Sequence, residues 1–70
     1  MSALNERLLA AYAAGDKRAL VRCYEEASRR APTEDARSFF LTQAYVYALE
    51  IDHPDTAALL HQLRDLGREE

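Results

Sequence analysis

Seventy residues carrying a net charge of −3 and one cysteine make a single small domain, with no internal disulfide and no cysteine-based zinc cluster. A mildly acidic chain is a poor candidate for gripping nucleic acid through its phosphates, and a lone thiol suits a reducing cytoplasm. The opening residues, Met1-Ser2-Ala3-Leu4-Asn5-Glu6, lack the basic-then-apolar order of a signal peptide, and the uncharged run 38–49 is too short to span a bilayer.

The glycines and prolines punctuate four helical segments. Helix one is expected over 3–14, where Leu4, Leu8, Ala11 and Tyr12 recur at helical spacing. Gly15 supplies a left-handed residue that ends it, and Asp16 caps the next helix. Helix two, 17–31, places Ala19, Leu20, Cys23, Tyr24, Ala27 and Ala31 on one stripe, with Glu25–Arg29 and Glu26–Arg30 as i,i+4 pairs outside. Pro32 closes it. Thr33 is the expected N-cap of helix three, 34–51, with Glu34 and Asp35 at its positive end. Asp52-His53-Pro54-Asp55 breaks that helix, and Pro54 suits the first turn of helix four, 54–66, which buries Leu59, Leu60, Leu63 and Leu66 before Gly67. No segment alternates with period two. The expected fold is all-α, one domain over 1–70, built as two antiparallel helical hairpins, 3–31 and 33–67.

Leu8-x2-Ala11-Tyr12 returns thirty-three residues later as Leu41-x2-Ala44-Tyr45. In this the chain resembles a tetratricopeptide-type repeat, a helix-turn-helix unit of about thirty-four residues. Leu8, Tyr12, Tyr24, Ala27 and Pro32 match that repeat's packing and turn positions in the first unit, and Leu41 and Tyr45 match in the second. The resemblance implies right-handed stacking of the two hairpins. Several positions depart from it. Leu9 and Thr42 replace the small first-helix glycine, Asn5 the tryptophan and Leu20 the small alanine. The turn at Gly15-Asp16 is one residue short, and helix three is about a turn longer than its counterpart. The stretch Leu41-Thr42-Gln43-Ala44-Tyr45-Val46-Tyr47-Ala48-Leu49-Glu50 also resembles a helix of small bacterial proteins, a likeness that implies no activity.

Helix three is apolar nearly all round. At 100° per residue, Ala36, Phe40, Ala44, Tyr47 and Ile51 share one face; Leu41, Tyr45, Ala48 and Leu49 form the adjoining one; Phe39 and Val46 stand on a third beside Glu50. One reading is a central core helix. The other gives Phe39, Val46, Tyr47 and Leu49 to an interface with a second copy or another protein. Tyr12, Tyr24 and Tyr45 are expected in the core with their hydroxyls at its edge. The Lys/Arg/Asn clamp with which tetratricopeptide grooves hold a peptide carboxylate is not matched by Asn5, Arg7, Arg37 and Gln43.

Nothing assembles a reaction site. His53 and His61 are separated by more than two turns and read as a turn residue and a surface residue rather than metal ligands. Cys23 reads as a small buried hydrophobe, and two isolated glycines build no phosphate loop. Arg18, Arg22 and Arg29 share a face of helix two, diluted by Asp16, Glu25 and Glu26. The expected function is therefore a non-catalytic interaction or adaptor module, self-associating through helix three as a homodimer. No catalytic residue, cofactor, metal, small-molecule substrate or membrane is implied. The alternative is a regulatory or nucleic-acid-binding protein using the basic face of helix two.

Overall fold

Residues 3–67, the span described by the computed structural model, form four helices: α1 (Ala3–Ala14), α2 (Lys17–Arg30), α3 (Glu34–Ile51) and α4 (Thr56–Asp65). No strand occurs among the described residues. The joints follow the local chemistry. Gly15 adopts φ +66° and Gly67 φ +74°, conformations that a Cβ would strain. The Asp16 carboxylate accepts the Ala19 N–H at 3.1 Å, and the Thr33 hydroxyl accepts the Ala36 N–H at 3.1 Å, so α2 and α3 both begin on side-chain caps.

Two boundaries differ from expectation. α2 stops at Arg30, because Ala31, preceding Pro32, is extended at ψ 135°. α4 starts at Thr56 rather than at Pro54. The His53 carbonyl accepts both the Thr56 N–H (3.2 Å) and the Thr56 hydroxyl (2.7 Å), which ties Pro54 and Asp55 into a turn ahead of the helix. The turn is reached through Asp52 in the left-handed conformation, φ 53° and ψ 48°.

Each helix packs on the next along the chain, and among the described residues no non-consecutive pair approaches backbone to backbone. The Cα trace measures 33 × 28 × 12 Å. The core lies along the seams between consecutive helices: Ala11 from α1, Leu20, Val21 and Tyr24 from α2, Leu41, Ala44 and Ala48 from α3, and Leu59 and Leu63 from α4. Ala44 and Ala48 are fully buried, and their small size lets neighbouring backbones come close to α3.

Close backbone contacts of α3 are with α2 and α4, which leave one side of it open. Leu49, which adjoins Leu41 and Ala48 and is also expected at the interface, is 54% exposed together with Phe39 and Val46. Tyr12 is also no core residue, at 46% exposed, whereas Tyr24 is buried and Tyr45 half-buried.

Candidate interaction surface

The outward face of α3 carries Phe39, Thr42, Val46 and Leu49. Their 3-4-3 spacing is that of a coiled-coil seam two heptads long. Phe39 is 56% exposed, Val46 45% and Leu49 54%, and Thr42 is exposed beside them. The stripe stands on a firm support. The Phe39 ring meets Phe40 edge-on at 5.6 Å, and the Thr42 hydroxyl turns inward to donate to the Ser38 carbonyl at 2.8 Å. Glu50, at one end of the stripe, reaches across to Lys17 of α2 at 2.9 Å.

Tyr47 is not part of this stripe. It is half-buried and stacks on Tyr24 with centroids 6.2 Å apart and planes 8° from parallel. Phe40 stacks on the same Tyr24 ring at 6.3 Å, and Tyr12 meets Tyr47 edge-on at 6.4 Å. The hydroxyls form a chain in which Tyr47 donates to Tyr12 at 3.4 Å and the Tyr12 and Tyr24 oxygens lie 2.5 Å apart. The hydrogen bond with Tyr24 holds Tyr12 above its ordinary pKa against the opposing effect of the bond with Tyr47, and the bond with Tyr12 raises Tyr47. The stack spans the gap between α1 and α3 over the floor of α2, a brace that the spacing of the tyrosines in sequence does not reveal.

A second surface feature lies between α1 and α2. A groove of about 480 Å³ has Ala10, Ala11, Ala14, Ala19 and Cys23 as its floor. Arg7, Arg18 and Arg22 stand at its rim with Asp16. Arg7 is committed to Glu26 at 2.7 Å, and this pairing raises the Arg7 pKa and lowers that of Glu26. Cys23 is buried, as its place on the α2 stripe implies, and its side of the helix forms part of the groove wall.

The third feature is a carboxyl pair. Glu26 forms the expected i,i+4 bridge to Arg30 at 2.8 Å, but Glu25 turns towards Asp55 in the α3–α4 turn. Partial burial, then the hydrogen bond and charge of Asp55, push Glu25 up to about 7 against the pull of Arg29 and Arg22. His53 is buried in the same turn, where its Nδ1 accepts the Asp55 N–H at 3.0 Å, while His61 lies exposed on α4. Among the described residues no three His, Cys, Asp or Glu side chains converge on a metal position. No helix among them is long and apolar enough to cross a membrane. Comparisons with protein-family models, curated proteins and solved structures find no match to this chain.

Proposed function

We propose that this chain is a small non-catalytic interaction module that self-associates through α3, acting in the reducing cytoplasm that a lone buried thiol suits. The observation that carries the reading is the exposed seam of Phe39, Val46 and Leu49 on a capped, 18-residue helix. Side chains spaced in this way are covered by a second helix laid along them, with apolar residues at the centre and polar ones at the rim. In this reading the four helices act as two tetratricopeptide-like hairpins stacked right-handedly, with the tyrosine brace holding α1 and α3 at a set separation.

The test is the oligomeric state by sedimentation velocity. The wild type is expected to associate with rising concentration, and Val46→Glu or Phe39→Glu to remain monomeric with unchanged helical circular dichroism. A wild type monomeric at every concentration reached, or variants that associate as it does, would remove the reading. Arg18, Arg22 and Arg29 are all exposed on one arc of α2, which supports the second reading, contact with nucleic acid. That reading requires salt-sensitive retention on heparin that Arg18→Ala/Arg22→Ala abolishes.

A further inference from the structure

We propose that self-association is head-to-tail: the α3 stripe of one copy seats in the α1–α2 groove of the next. This inference rests on self-association through α3 and specifies what that face meets.

Charge is the first argument. Residues 34–52, which carry the stripe, hold four acids (Glu34, Asp35, Glu50, Asp52) and one cation, Arg37. The groove is lined by three cations (Arg7, Arg18, Arg22) and one acid, Asp16. Laying α3 against α3 about a two-fold axis opposes two segments of like net charge. Laying α3 in the groove opposes segments of opposite net charge. Glu50 already pairs with Lys17 and Arg7 with Glu26, so Arg18 and Arg22 are the lining cations that meet the remaining acids of the incoming segment.

Shape is the second. The stripe presents large side chains, Phe39, Val46 and Leu49, as a ridge. The groove floor is alanine, with Ala10 and Ala14 exposed, so a ridge can approach it closely. The α1 side of the groove, Arg7 to Ala14, spans about 10 Å of helix, so it takes about two-thirds of the stripe's roughly 15 Å. Placement is the third. The groove lies along the α1–α2 seam and the stripe on α3, which has no close backbone approach to α1, and the two share no lining residue, so one molecule can offer both at once. A contact between two different patches leaves one of each unfilled in a dimer, and assembly therefore continues into longer chains or closes as a ring.

Two variants, each disabling one patch, decide the matter: Val46→Glu on the ridge and Ala10→Glu in the groove. Each alone is expected to be monomeric. Mixed in equal amounts, they are expected to form a heterodimer and nothing larger, because each retains the patch that the other lacks. Raising sodium chloride from about 0.05 to about 0.5 M should weaken wild-type association at least about tenfold. If Ala10→Glu alone still associates as the wild type does while the mixture yields no heterodimer, the contact is a two-fold one between α3 helices. The head-to-tail inference then falls and the interaction reading survives. A wild type that never associates overturns both.

Discussion

The two faces of α3 are both apolar but differ in what covers them. Its inner face holds Leu41 with two alanines, Ala44 and Ala48, all essentially without exposure. Its outer face holds Phe39, Val46 and Leu49, each about half in water. Phe40, Tyr45, Tyr47 and Ile51 pack partly against the same core, whereas the three outer residues do not. The inner alanines allow α2 and α4 to close on α3. The outer residues represent burial the isolated chain does not achieve. In the proposed reading, one helix divides its apolar residues between holding the fold and being held by a second copy.

This contrast can be broken from the inside first. Leu41→Ala should cost about 2–5 kcal/mol, read from urea or thermal unfolding, since Leu41 is 1% exposed and its neighbours cannot collapse fully into the space. For a domain of this size that is a large share of the total stability.

A smaller effect separates the two faces by pH. Glu25 keeps its proton up to about 7 in the folded chain, against an ordinary 4.5. Between those values the folded state binds more protons than the unfolded one, so stability at this position is full below the ordinary value and declines as pH rises through about 7. Glu25→Gln should remove that decline. Its melting temperature should equal the wild type's near pH 4 and exceed it by about 2–4 °C near pH 8, the effect being limited because Glu25 is partly solvated. Association through the outer face of α3 should not follow the same profile. The smallest effect is expected on the outer face itself: Phe39→Ala should change monomer stability by no more than about 0.5 kcal/mol in dilute solution.

The four helices were legible because their joints are chemically loud: Gly15, Asp16, Pro32, Thr33 and Gly67 each do what their type requires. The outward placement of Phe39 and Val46 was also legible, since 100° steps put them away from the residues that pack. Of the four residues expected on the outer face, Leu49 is exposed with Phe39 and Val46, and Tyr47 is not. Periodicity places residues around one helix, but which arc is covered depends on where the neighbours pack, and that is not local information. Tyr47 found a stacking partner in Tyr24, twenty-three residues earlier, while Leu49 lay beyond the reach of α4. The Glu25–Asp55 pair escaped for a similar reason. Glu25–Arg29 is a sound i,i+4 pair on an isolated helix, and only the folded α3–α4 turn brings Asp55 to compete for it. The groove is a tertiary feature too, although alanines at 10, 11 and 14 mark a flank of α1 with little bulk.

The most direct measurement is an amide chemical-shift map of the labelled protein, recorded from concentrated to dilute solution. If the outer face of α3 is an interface, shifts should move with concentration at Phe39, Thr42, Val46 and Leu49 and stay constant at Leu41, Ala44 and Ala48. No concentration dependence, or changes that leave the outer residues untouched, would contradict the division of α3 into a folding face and a binding face.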